Sequence, residues 1–106
     1  TIHENLVFTS GQIAIDPATG ELKTDDFAIE VRQVMQNVKA VLEGGGSCLA
    51  AVIKLTVFLT DLSNFGILND VFEEFFPKDP PARSALQVCA LPKNVNVEIE
   101  AIGKIV

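Results

Sequence analysis

The 106-residue sequence contains no tryptophan, no tyrosine and a single histidine, His3. One histidine excludes histidine-based catalytic triads, paired-histidine acid–base schemes and most zinc sites. No apolar run reaches the roughly 18 residues that a membrane-spanning helix needs. Residues 1–5 also lack the basic stretch and the apolar core of a signal peptide. We therefore expect a cytoplasmic protein with no membrane partner, no metal and no cofactor.

Cysteine and basic residues are scarce as well. Cys48 and Cys89 are too few for a disulfide framework, and their apolar neighbours predict that both thiols are buried and structural. Eight Lys and Arg against fourteen Asp and Glu give a net charge of −6. Because that charge repels a phosphate backbone, nucleic acid is not the expected partner.

Hydrophobic residues, in contrast, are abundant. They make up 48% of the chain and include seven phenylalanines. The length suits one domain, so we expect a single domain over residues 1–106. A mean hydropathy of +0.34 is high for so short a chain, and this surplus of apolar surface indicates a subunit interface.

Apolar periodicity predicts two helices among several strands. The predicted segments are a strand over 5–15, a turn at 16–20, a helix from Thr24 or Asp25 to the glycines at 44–46, a strand over 52–60, a helix from Ser63 or Asn64 to Pro77, and strands over 83–90 and 95–106. Gly11 lies inside the first strand, which predicts a bulge or a close backbone approach there. Both faces of strand 52–60 are apolar, which is typical of a central strand covered on both sides.

The element order is therefore predicted to be ββαβαββ. A strand–helix–strand crossover implies that some strands pair in parallel and that the helices lie on one side of the sheet. We expect an α+β fold in which two helices pack on one face of a mixed sheet.

Arg83 is the first candidate for a functional side chain. It follows two prolines at the start of a strand, and its planar guanidinium suits a carboxylate ligand. The alternative is a surface arginine paired with an acidic side chain. Glu98 and Glu100 share one face of the last strand and could act as bases or orient water. The alternatives are a solvated strand face or one of the two glutamates paired with Arg83. Because Arg83 begins one strand and Glu98 lies in the next, we expect the two to converge at one sheet edge.

Ser10 and Gly11 are further candidates. Serine offers a hydroxyl, and glycine lets the backbone approach a ligand closely. No histidine is placed to activate Ser10 as a nucleophile, so we interpret it as a hydrogen-bonding group. The alternative is a bulge glycine beside a structural serine.

Six blocks of the sequence, taken in order, resemble the RidA (YjgF) family, which is also called the L-PSP endoribonuclease family. The blocks are residues 8–13, 37–46, 57–62, 81–84, 91–93 and 97–101. The most specific are Pro-Ala-Arg-Ser at 81–84 and Val-Glu-Ile-Glu at 97–100. The resemblance covers essentially the whole chain and implies a chorismate-mutase-like fold and a homotrimer with sites in the clefts between subunits.

The resemblance also implies an activity, namely the hydrolysis of reactive enamine and imine intermediates to 2-keto acids and ammonia. Arg83 matches the family arginine that binds the substrate carboxylate, and Glu98 matches the glutamate that positions water. Ser10 and Gly11 match the strand lining the pocket, and Asn69 matches an asparagine at its rim. Ala85 stands at the substrate-binding position where the family often has cysteine.

The sequence departs from the family pattern in one other respect. The family carries an N-terminal Gly-Pro-Tyr-Ser-like segment whose tyrosine contributes to the site, and the present sequence begins after that point. Two alternatives to the deaminase hypothesis therefore stay open. One is a non-catalytic binder of a keto acid or related carboxylate in the same cleft, and the other, less favoured, is a ribonuclease or translation inhibitor.

Overall fold

The computed structural model describes all residues from 1 to 106. Its regular elements are β1 (Ile2–His3), β2 (Leu6–Phe8), α1 (Phe27–Gly44), β3 (Val52–Leu59), α2 (Phe65–Phe75), β4 (Ala82–Gln87) and β5 (Val97–Lys104). The predicted order ββαβαββ is confirmed. Neither helix is long and apolar enough to cross a membrane.

The strands form one mixed sheet in the order β1-β2-β5-β3-β4. Strands β3 and β4 pair in parallel, and all other neighbours are antiparallel. Helix α2 is the crossover that the parallel pair requires. The predicted α+β architecture is thus confirmed.

Helix α1 forms because an apolar stripe recurs every three or four residues along it. It begins at Asp26, whose carboxylate accepts a 3.0 Å hydrogen bond from the backbone N–H of Ile29. It ends where the Gly45 N–H donates to the carbonyl of Val41 and where Gly46 adopts a φ of +89°, which favours glycine. The buried stripe comprises Val31, Val34, Met35, Val38 and Leu42.

The core lies between the two helices and one face of the sheet. Alternate residues of the two longest strands point into it and are buried: Leu55, Val57, Leu59, Val97, Ile99 and Ala101. The opposite face is not covered by this chain, and Phe8 and Leu86 on it are 37% and 42% exposed. The prediction that β3 is central is confirmed, but the prediction that it is covered on both sides is wrong for a single chain.

The predicted strand over 5–15 is too long. Only Leu6–Phe8 is regular, and the later residues make isolated bridges. Phe8 pairs with Ile102 and Gln12 pairs with Ile99, so one extra residue is inserted between these pairs. This insertion confirms the predicted bulge around Gly11.

Besides these isolated bridges, a side chain of α1 holds the segment after the bulge. The Asn37 amide donates to the carbonyls of Ile13, at 3.0 Å, and Ile15, at 2.8 Å. These bonds satisfy buried backbone groups that a strand partner would otherwise have to satisfy.

Two burial predictions are wrong. Cys89 is exposed, because the strand predicted over 83–90 ends at Gln87. Cys48, just before β3, is half-buried. A register irregularity between Val52 and Lys54 leaves Ile53 43% exposed.

A buried carboxylate fixes the start of β5. Glu30 in α1 is fully buried and accepts hydrogen bonds from both the backbone N–H and the side-chain amide of Asn96, each at 2.8 Å. The pairing satisfies a group that is otherwise expensive to bury. It anchors the backbone two residues before Glu98.

Candidate functional site

Arg83 lies near the start of β4, an edge strand, and pairs in register with Leu55 of β3. Since Leu55 points toward the helices, Arg83 points to the same side. Its Nη1 donates a 2.8 Å hydrogen bond to the Asn69 side-chain oxygen. The guanidinium carbon also lies 5.1 Å and 5.2 Å from the ring centroids of Phe65 and Phe72.

Helix α2 supplies all three of these contacts from one face. Phe65, Asn69 and Phe72 are spaced four and three residues apart, so they line up along that face. Each cation–π contact contributes about 0.5–2 kcal/mol. No carboxylate lies within ion-pair distance of Arg83, because the ion pairs of the chain are Lys23–Asp16 and Arg32–Glu74. The alternative of a surface arginine paired with an acid is therefore wrong.

The guanidinium lines a cavity of about 420 Å³. The other lining residues are Leu55, Asn69, Phe72, Glu73, Phe76, Pro80 and Pro81. Volume and lining suit a small organic ligand, since such sites combine apolar walls with a few polar groups. An unpaired guanidinium in such a cavity suits a ligand that carries a carboxylate.

A second cluster lies on the uncovered face of the sheet. Gly11 packs directly against Glu98, and a Cβ at position 11 would lie 2.8 Å from the Glu98 carboxyl carbon. Position 11 therefore accommodates only glycine while Glu98 keeps this position. The half-buried Glu98 carboxylate makes no hydrogen bond or ion pair within the chain. Ser10 is exposed beside it, and Glu100 lies exposed on the same face.

One chain does not bring Arg83 and Glu98 together. Strand β3 lies between β4 and β5, so the two residues are not on neighbouring strands. Arg83 pairs with the inward-facing Leu55, whereas Glu98 pairs with Phe58 on the opposite face. The prediction that they converge at one sheet edge is wrong within a single chain.

The remaining predicted site residues divide between these clusters. Asn69 lies with Arg83 in the cavity. Ala85 is half-buried, two residues after Arg83 on the same face of β4, and pairs with Val57. No group of three or more His, Cys, Asp or Glu side chains is arranged to hold a metal ion.

Sequence reasoning missed the aromatic support of Arg83 and the presence of Glu73 in its cavity. A usable signal was present, because helical spacing places Asn69 between the two rings and Glu73 one turn beyond Asn69.

Comparisons with known proteins place this architecture in a family. The family model described as Endoribonuclease L-PSP matches residues 1–105. The 2-iminobutanoate/2-iminopropanoate deaminase of Escherichia coli K12 is 45% identical over 102 residues, covering 93% of this chain and 79% of that protein. The crystal structure of RidA from an Antarctic Psychrobacter species superposes with a TM-score of 0.94 at 46% identity, covering 99% of this chain and 85% of that one.

A third relative carries a ligand. The crystal structure of Escherichia coli TdcF with bound serine superposes with a TM-score of 0.92 at 42% identity and covers 98% of this chain and 84% of that one. The chain thus agrees with these relatives in sequence and in fold topology over nearly its whole length. The chain belongs to the Endoribonuclease L-PSP family, which is the RidA family.

Proposed function

We propose that this protein is an enamine/imine deaminase. It would hydrolyse 2-imino acids of the 2-iminobutanoate and 2-iminopropanoate type, and the enamines that tautomerise to them, to 2-keto acids and ammonia. The observation that carries the proposal is the unpaired guanidinium of Arg83 in a cavity of about 420 Å³. The names of the 45%-identical deaminase and of the serine-bound relative support it.

Arg83 would bind the substrate carboxylate through two parallel charge-assisted hydrogen bonds. The Asn69 side-chain oxygen accepts a 2.8 Å hydrogen bond from Nη1 of Arg83. The rings of Phe65 and Phe72 limit the rotation of the guanidinium. The donor is therefore oriented before the substrate arrives, which reduces the entropy lost on binding.

Glu98 would position the attacking water. Its carboxylate is free of partners in the chain, so it can accept a hydrogen bond from water. The imine carbon of a protonated imino acid is already electrophilic, and no covalent nucleophile is needed. Water would add to that carbon while Glu98 takes one proton from the water and passes it to nitrogen. As the C–N bond breaks, the remaining hydroxyl proton would pass through Glu98 to the departing ammonia, so the carbonyl forms. The balance is one iminium carboxylate, with no net charge, plus one water giving one 2-keto acid anion plus one ammonium ion.

The site would be shared between subunits of a homotrimer. Arg83 and Glu98 lie on opposite faces of the sheet in one chain, so a joint site needs β4 of one copy against the β2–β5 face of the next. The exposed apolar side chains of the uncovered sheet face, Phe8 on β2 and Leu86 on β4, support such a contact. A rotation that closes after three copies would give three equivalent clefts.

A non-catalytic binder is the second candidate. The same separation of Arg83 from Glu98 favours it, because the Arg83 cavity of one chain can hold a carboxylate without placing water beside it. A ribonuclease role is not proposed, because a net charge of −6 opposes binding to a phosphate backbone.

The test is a coupled assay in which an amino-acid oxidase generates the imine in situ and semicarbazide traps what survives. The wild-type protein should accelerate imine loss, and Arg83→Ala should lower kcat/KM about 100-fold. Glu98→Gln should retain binding of 2-oxobutanoate and lose kcat about 100-fold. If the wild type did not accelerate imine loss but still bound 2-oxobutanoate through Arg83, the deaminase proposal would be contradicted. That result would favour the non-catalytic binding protein.

A further inference from the structure

One acidic side chain shares the cavity with Arg83. Glu73 lies on α2 one turn after Asn69, and four residues of helix place both on the same face. Glu73 is exposed at the cavity surface, and it is not within ion-pair distance of Arg83. The cavity therefore presents a cation and a separate anion to whatever enters it.

We infer that Glu73 is a specificity-determining residue that selects against substrates with a second carboxylate. The inference rests on the proposed function, since it assumes that Arg83 binds the first carboxylate. With that group fixed, the rest of a small acid would extend along the walls formed by Phe72, Phe76 and the two prolines. Glu73 is the one charged side chain besides Arg83 that this chain supplies there.

The apolar walls of the cavity determine which substrate side chains are accepted. Aromatic rings and prolines favour a short apolar side chain, because they remove its surface from water. A carboxylate at the end of that side chain would instead lose hydration and be repelled by Glu73. Because Glu73 is solvated, we expect discrimination of about tenfold per extra carboxylate, toward the lower end of the range for like charges a few ångströms apart.

The test uses stable 2-keto acids as probes in isothermal titration calorimetry. 2-Oxobutanoate carries one carboxylate and 2-oxoglutarate carries two. Since 2-oxoglutarate is also longer, the diagnostic quantity is the change in the ratio of the two dissociation constants on Glu73→Gln. That variant should reduce the preference for 2-oxobutanoate about tenfold, mainly by tightening 2-oxoglutarate binding.

Asp70→Asn is the matched control. Asp70 lies on the same helix, is exposed, and does not line the cavity, so its removal changes net charge equally without changing the site. The ratio should stay at its wild-type value. An unchanged ratio in Glu73→Gln, or an equal change in Asp70→Asn, would overturn the inference about Glu73.

The same experiment tests carboxylate binding by Arg83 separately from the role of Glu73. If 2-oxobutanoate binds and Arg83→Ala abolishes that binding, carboxylate binding by Arg83 is supported, regardless of the result for Glu73→Gln. If neither acid binds the wild type in an Arg83-dependent way, the proposed function and the inference about Glu73 fail together.

Discussion

Replacing Gly11 with alanine places a methyl group where the Glu98 side chain now lies. The new Cβ would lie 2.8 Å from the Glu98 carboxyl carbon and 3.1 Å from its Cγ. Ordinary carbon–carbon contact begins near about 3.5 Å, and the Glu98 Oε2 lies closer to the new Cβ than either carbon, so the carboxylate must retreat by roughly 0.7 Å or more. A displacement of about 1 Å in a reacting group costs about 100-fold in rate, so we expect kcat to fall between about 10- and 100-fold.

Stability should change much less than activity. The group that must move is the end of a flexible, half-exposed side chain, and the cost to folding should be about 1 kcal/mol or less. Binding of 2-oxobutanoate to Arg83 should persist. The coupled imine assay, calorimetry and thermal denaturation measure the three quantities separately.

Gly44→Ala provides the matched control, because a Cβ at that helical position meets nothing within 4 Å. It should leave kcat unchanged and should raise stability by up to about 1 kcal/mol. Wild-type kcat in Gly11→Ala would refute the role assigned to Glu98. A fall in kcat accompanied by general unfolding would refute the claim that only the carboxylate moves.

Two further predictions concern the support of the site and the response to acid. Asn69→Ala removes the hydrogen bond to Nη1 of Arg83 and should weaken 2-oxobutanoate binding about tenfold by calorimetry; unchanged affinity would mean that the aromatic rings alone orient the guanidinium. The hydrogen bond from Arg32 holds the pKa of Glu74 below its ordinary value of 4.5. The pair therefore stabilises the fold fully above about pH 4.5, and this stabilisation is lost as the pH falls through the lower pKa of the folded state. Between about pH 5 and pH 3 the melting temperature of Glu74→Gln should therefore fall less than that of the wild type, and parallel curves would contradict this assignment.

The helices and the order of helices and strands along the chain could be predicted because their patterns are local. The apolar stripe of α1 and its glycine stop lie within a few turns of each other, and both appear in the structure. The bulge at Gly11 could also be predicted, because glycine inside a strand pattern is a local signal.

What could not be predicted depends on pairing between distant segments. The sequence order suggested that Arg83 and Glu98 lie on adjacent strands, but β4 pairs in parallel with β3, and β5 takes the other edge of β3. The alternation of β3 indicated two covered faces, yet a single chain covers only one of them.

The central claim is that one site takes Arg83 from one subunit and Glu98 from another. The most direct measurement mixes two inactive variants, Arg83→Ala and Glu98→Gln, by unfolding and refolding them together in equal amounts. In a randomly mixed trimer, about one quarter of the clefts combine an intact Arg83 with an intact Glu98. The account predicts recovery of about a quarter of the wild-type imine hydrolysis. A mixed preparation that assembles as trimers and stays as inactive as each variant alone would contradict it.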